Sequence, residues 1–129
     1  MRIQRSASHA GWVVEYHDEF RADLGTESEA VQVAVIAASG FLQQFGPQLG
    51  RPHVDTLKGS SHSNMKELRI TLVEGEWRIA FAFDPRRRAI LLCGGSKSGV
   101  GQRSFYERLI RVADRRYAEH LHKLTTKGE

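Results

Sequence analysis

Residues 65–95, "MKELRITLVEGEWRIAFAFDPRRRAILLCGG", decide the fold. In the first part Leu68, Ile70 and Leu72 alternate with Glu67, Arg69 and Thr71, the period of a strand with one apolar face. "EGE" at 74–76 turns the chain. Trp77, Ile79, Phe81 and Phe83 then alternate with Arg78, Ala80 and Ala82. "DPRRR" at 84–88 carries proline and charge where a second turn is needed, and "AILLC" at 89–93 is a short buried strand. Three β-type runs joined by tight turns read as an antiparallel meander.

Outward from this meander the pattern changes period. Upstream, Trp12, Val13, Val14 and Tyr16 are β-formers and predict a strand. Asp18 is placed to cap a short helix that Gly25 stops. Thr26, with Glu29 at the capping-box position, predicts the start of a long helix that Gly46-Pro47 ends. Ala30, Val33, Ala34, Ala37, Phe41, Leu42 and Phe45 recur at helical spacing as its apolar face, and Gly40 within it predicts a close packing contact. Downstream, Phe105, Leu109, Val112, Tyr117, Leu121 and Leu124 mark one side of a second long helix. Arg108, Arg111 and Arg115 share its other side, a solvated stripe or a contact with an anionic partner. The predicted order is β-α-α-β-β-β-α: an α+β fold with a mostly antiparallel sheet, helices packed on one face over Trp77, Ile79, Phe81 and Phe83, and the first strand at an edge. One domain accounts for all 129 residues, with a core of about 12–124.

Composition narrows the function classes. Lys and Arg number 19 against 15 Asp and Glu, a net charge of +4, with the excess mostly arginine and mostly after residue 50. A basic half points to an anionic partner. The single cysteine, Cys93, makes no internal disulfide and lies in an apolar run, which favours a reducing cytoplasm. "MRIQRSASHAGW" has no apolar stretch of a secretory leader, and no stretch approaches a membrane span.

The alternation around Arg78 puts Arg78, Ala80 and Ala82 on the side away from the apolar face, with Arg69 beside them. Two alanines there predict a shallow, open surface lined by arginine. Lys58, His62 and Lys66 come just before or at the start of the meander, Arg86, Arg87 and Arg88 at a hairpin end, and Lys97 just after it. Such a cluster suits a polyanion, since guanidinium forks bind phosphate oxygens in pairs and lysine acts as a compact charge. The bland alternative is an ordinary solvated sheet face. "GGSKSGVG" at 94–101 has the outline of a nucleotide-binding loop, but Val100 follows Gly99 where a P-loop requires lysine. No metal is expected: His120 and His122 diverge on a helix, and no cysteine pair has zinc spacing. Glu67 and Asp84 read as partners in structural salt bridges.

"GRPHVDTLKGSSHSNMKELRI", "WRIAFAFDPRRRAILLCGGSKSG" and "FYERLIRVADRRYAEHL" together resemble the RelE/ParE toxin superfamily, nearest to the phage-derived HigB-like branch of bacterial type II toxin–antitoxin systems. The resemblance runs from about Trp12 to Leu121. It implies a compact fold with helices on one face of a mostly antiparallel sheet. It further implies a cytoplasmic, metal-independent endoribonuclease without cofactor that cleaves mRNA, usually on the ribosome. A cognate antitoxin with a HigA-like helix-turn-helix domain would neutralise it and carry the complex to operator DNA, with no membrane involved. By resemblance, Arg78 stabilises the phosphate and Lys97 takes the basic position after the last strand. Lys58 and Lys66 match the basic residues before and at the start of the meander. Tyr106 stacks on a base or assists proton transfer. Arg69, Arg86 and His62 complete the expected RNA-binding set, with His53 and His62 as alternative acid–base groups. The non-enzymatic alternative is a ParE-like inhibitor of DNA gyrase.

Overall fold

The computed structural model describes residues 11–99 and 101–126. Residues 1–10, which carry most of the expectation about a leader, lie outside them. The elements run β1 (Val13–Tyr16), α1 (Asp18–Gly25), α2 (Glu29–Phe45), a 3-10 turn (Gly46–Gln48), β2 (Val54–Thr56), β3 (Lys66–Leu72), β4 (Gly75–Phe83), β5 (Arg88–Ser96) and α3 (Gln102–Thr126). The sequence-based order is therefore right except for β2, whose three residues are too few to show a period.

One five-stranded sheet has the order β1-β5-β4-β3-β2. β1 is an edge strand parallel to β5, while the other neighbours are antiparallel. The meander register sets Leu68 opposite Ile79, Arg69 opposite Arg78 and Ile79 opposite Gly94. A register shift at Ala80/Phe81 leaves Leu92 between the partners of those two residues. Leu92 and Cys93 consequently both join the core beneath α3.

The helices lie on both faces, which corrects the expectation of one. Leu68, Ile70, Trp77, Ile79, Phe81 and Leu91 pack with Phe20 and Leu24 of α1 and Val31, Val35 and Leu42 of α2. Ala80, Ala82, Ile90, Leu92 and Cys93 pack with Leu109, Ala113 and Tyr117 of α3. Ala80 and Ala82 are fully buried. Their small side chains let a helix come close to the sheet; they are the seat of α3 rather than open ground. Burial pushes the Cys93 thiol up to about 12, so it stays a neutral, packed group.

The caps and the buried stripe of α2 also differ from expectation. His17 caps α1 through its Nδ1, which accepts the Glu19 N–H, and Ser28 caps α2 by accepting the Val31 N–H at 3.2 Å. Thr26 instead closes the C-terminus of α1. The inward residues of α2 are Val31, Val35, Ser39 and Leu42, while Val33, Ile36, Phe41 and Phe45 are exposed. The helix has apolar residues around most of its circumference, so periodicity alone does not fix its inner face. Among the described residues, no atom beyond its own stretch of helix lies within 4 Å of where a Gly40 Cβ would stand, so the expected close contact is absent there. Gly40→Ala is therefore expected to stabilise the protein by about 0.5–1 kcal/mol through the lost backbone freedom of glycine, read as a rise in Tm.

Candidate functional site

α3 lies across β5 and β4 and reaches β3 through Tyr106. Beyond Tyr106 the same side of the sheet carries Glu67 and Arg69 of β3, Glu76 and Arg78 of β4, and Lys97 just past β5. Strand alternation brings the first four to one face, because Arg69 is directly opposite Arg78 and Thr71 opposite Glu76. Lys97 follows because its backbone N–H donates to the Glu76 carbonyl at 2.9 Å. The turn at Gly75 has φ 141, and the Ser98 side chain occupies the space a Cβ would need there. Lys97 is thus tied to the sheet end.

The polar groups interlock. Tyr106 Oη donates to Glu67 Oε1 at 2.6 Å. Arg69 places Nε and Nη2 on Glu67 Oε2 at 3.1 and 3.0 Å, and its Nη2 also reaches Asp55 at 3.4 Å. Arg78 Nη1 donates to Glu76 Oε1 and to the Trp77 carbonyl, each at 3.0 Å. Among the described residues its Nε has no hydrogen-bond partner, and it faces Glu67 Oε1 at 3.9 Å. Lys97 Nζ stands 5.6 Å from the Tyr106 ring centroid, a cation–π distance. Glu67 and Arg78 are buried, at 5% and 8% exposure, whereas the Glu76 side chain is half exposed.

These contacts set the protonation states. Burial works against the Arg78 charge, but the Glu76 hydrogen bond and the nearby Tyr106 and Glu67 outweigh it and raise its pKa. Burial, followed by the Glu67 hydrogen bond and charge, raises the Tyr106 pKa against the opposing pull of Arg78. Tyr106 is accordingly a neutral phenol at physiological pH. The Arg78 and Thr71 hydrogen bonds lower the Glu76 pKa. Three cations, Arg69, Arg78 and Lys97, thus surround two carboxylates. An arriving phosphate meets Glu76 as the exposed competitor for Arg78.

The remaining sequence-based candidates lie elsewhere. Lys66 pairs directly with Phe81, whose side chain is in the α1/α2 core, so its register places it on the opposite face from Arg78. Counting the alternation back two residues from Leu68 reveals this in the sequence. Lys58 is exposed beside Gly59, whose Cβ direction faces Ile110, one helical turn along α3 from Tyr106. His62 lies against the Tyr117 ring at 4.9 Å, about 16 Å further along α3 at 1.5 Å per residue. His53 stacks on Phe41 of α2. Arg86 belongs to the β4–β5 turn, past the other end of β4, where its N–H donates to Asp84. The structure therefore brings together Arg78, Arg69, Lys97 and Tyr106, sets Lys58 along α3, and separates Lys66, His62 and Arg86 from them. Glu67 and Glu76 are the members that sequence reasoning missed. Their signal was the same alternation: both share the parity of Arg69 and Arg78. Among the described residues, no group of three or more His, Cys, Asp or Glu is placed to hold a metal ion. No described helix is long and apolar enough to cross a membrane.

Comparison with known proteins gives three findings. The family model described as phage-derived protein Gp49-like matches residues 22–118. A Mycobacterium tuberculosis protein named as toxin HigB2 is 41% identical over 121 residues, covering 93% of this chain and 59% of that protein. A second from the same organism, named as toxin HigB3, is 48% identical over 83 residues, covering 64% of this chain and 70% of that protein. The chain thus spans 59% of the length of the first of these relatives. Among solved structures, a mutant of the E. coli toxin RelE in the free state superposes with a TM-score of 0.54 over 78% of this chain and 94% of that one. At 9% identity, that likeness is one of fold.

Proposed function

Because the chain belongs to the phage-derived Gp49-like family, in the HigB-like branch of the RelE superfamily, we propose that it is the toxin of a type II toxin–antitoxin system, an endoribonuclease that cuts mRNA on the ribosome. A cognate antitoxin with a HigA-like helix-turn-helix domain neutralises it, and the complex reaches operator DNA through that domain. The site of action is the cytoplasm.

The observation that carries this reading is the clustering of Arg78 with Arg69 across the β3–β4 pair, and of Lys97 with the Tyr106 ring, around Glu67 beside the start of α3. RNA brings its own nucleophile. The 2′-OH loses its proton, its oxygen bonds to the adjacent phosphorus, the P–O5′ bond breaks, and the 5′-oxygen takes a proton, leaving a 2′,3′-cyclic phosphate. The protein's task is to hold the phosphate and to stabilise the added negative charge. Arg78 has a raised pKa and stays charged throughout. Its fork replaces Glu76 by phosphate oxygens. Lys97 stands beside it for the leaving 5′-oxygen, and the Tyr106 ring offers a stacking surface for a base.

The test is controlled expression without antitoxin, with mapping of mRNA 5′ ends. New ends within coding regions are expected together with growth arrest. Arrest with intact transcripts and inhibited supercoiling would replace this reading by gyrase inhibition. Lys97→Ala is expected to lower the cleavage rate about 100-fold, equivalent to about 2.7 kcal/mol in the barrier, as measured by appearance of the same 5′ ends.

A further inference from the structure

Glu67 is the buried carboxylate to which the reaction above gives no task. Its side chain is 6% exposed, and an ionised carboxylate persists in such a place only when it is bound. Its oxygens are divided. Arg69 forks onto Oε2, while Oε1 receives the Tyr106 hydroxyl and faces Arg78. The 2.6 Å separation of Tyr106 Oη and Glu67 Oε1 is that of a short, charge-assisted hydrogen bond. Ala80 sits directly across from Glu67 on β4, and its small side chain leaves room for Tyr106 to reach down from α3. Tyr106 is half-buried, between this carboxylate and the Lys97 ammonium.

We propose that Glu67 is the proton acceptor for the attacking 2′-OH, acting through Tyr106. This rests on the endoribonuclease reading. As the 2′-oxygen bonds to phosphorus, its proton passes to a lone pair of Tyr106 Oη, and the Tyr106 proton passes to Glu67 Oε1. The P–O5′ electron pair leaves with the 5′-oxygen, which takes its proton from the Lys97 ammonium. Tyr106 ends as it began, Glu67 is a neutral acid and Lys97 a neutral amine; exchange with water resets both. A phenol kept neutral by burial and by Glu67 can donate and accept in the same step. Arg69 holds Oε2 throughout and fixes Oε1 toward Tyr106. Glu67 is thus a positioning residue that also receives the proton, and Tyr106 is the group that meets RNA.

The test compares wild type, Glu67→Gln, Tyr106→Phe and the double variant in single-turnover cleavage of an mRNA on ribosomes. Each single variant is expected to slow the cleavage step by about 100-fold or more with KM unchanged. The double variant should be no slower than the slower single one, because members of one relay act as a unit. Losses that multiply would mean two independent roles and would overturn the relay. Tyr106→Phe keeps the ring and its packing, so it reads the relay even if Glu67→Gln disturbs the fold; wild-type rate in Tyr106→Phe overturns the relay by itself. Wild-type protein that leaves mRNA intact overturns the endoribonuclease reading, and the relay with it. Cleavage by wild type with undiminished Tyr106→Phe overturns the relay alone.

Discussion

Arg78→Ala is expected to lower mRNA cleavage by about 100- to 1000-fold, the loss typical of removing one preorganised charge from a transition state. The argument begins with the strand. Arg78 is fixed by sheet register opposite Arg69, its stem is buried, and its Nη1 is held by Glu76 and the Trp77 carbonyl. Such a guanidinium is expected to meet the phosphate by exchanging its Glu76 bond alone, with its stem and its Trp77 bond left in place. Removing it leaves Glu67 with Arg69 and Tyr106, so the buried carboxylate is still bound, and leaves Glu76 half in solvent. The variant should fold and still be neutralised by its antitoxin. Arg78→Lys keeps the charge but loses the fork, and should recover a small part of the rate. The measurements are growth after induction, mapped 5′ ends and a melting curve. A folded Arg78→Ala protein with full toxicity would remove this residue from the site.

Asp84→Ala is expected to cost about 3–5 kcal/mol of stability, the range for breaking a buried ionic network by removing one partner. The Asp84 side chain is fully buried. Oδ1 accepts the N–H groups of Arg86 and Arg88, both at 2.9 Å. Oδ2 accepts from Arg88 Nε and Nη2 and lies 2.8 Å from His120 Nε2 on α3. One carboxylate thus shapes the β4–β5 turn, in which Arg87 takes φ 66, and ties that turn to the last helix. The pH dependence follows. Burial alone would raise the Asp84 pKa, but the His120 and Arg88 hydrogen bonds prevail and lower it. A lowered folded-state pKa gives stability that is fully present above the unfolded value of about 3.9. That stability is lost as pH falls through the folded value. Wild-type Tm should therefore drop as pH falls below about 4, and Asp84→Asn, lower in Tm at neutral pH, should lack part of that drop. An acid profile identical in the two proteins would remove Asp84 as a source of acid sensitivity.

The meander, the edge strand and both long helices were legible because each has a clear period or a strong terminator. The side on which the last helix packs was not. Ala80 and Ala82 carry no sign that distinguishes an open face from a helix seat; the answer depends on Leu109, Ala113 and Tyr117 coming back over them. Arg78, Arg69, Lys97 and Tyr106 come together because three of them belong to one meander and the fourth opens the helix that crosses it. Lys66 was misplaced by one step of a two-residue period. His62 and Arg86 were grouped with Arg78 through nearness in sequence, yet the first lies down α3 and the second past the far end of β4. Glu67 was read as a salt-bridge partner, which it is. Its bond to Tyr106 spans 39 residues and has no local signature.

The chain's closing contacts also set a clock. Glu15 of β1 meets Arg88 of β5 across 73 residues, and Asp23 of α1 meets Arg116 of α3 across 93. A chain emerging from the ribosome presents β1 and α1 first, and with only α2 to pack against they wait for β5 and α3 while the meander is made. Arg78 then exists without Tyr106 until α3 has been synthesised and has docked. The order of synthesis thus makes α3 the element that completes the cluster, so a nascent chain holds its cations apart from the ring that is to face them until that helix has emerged.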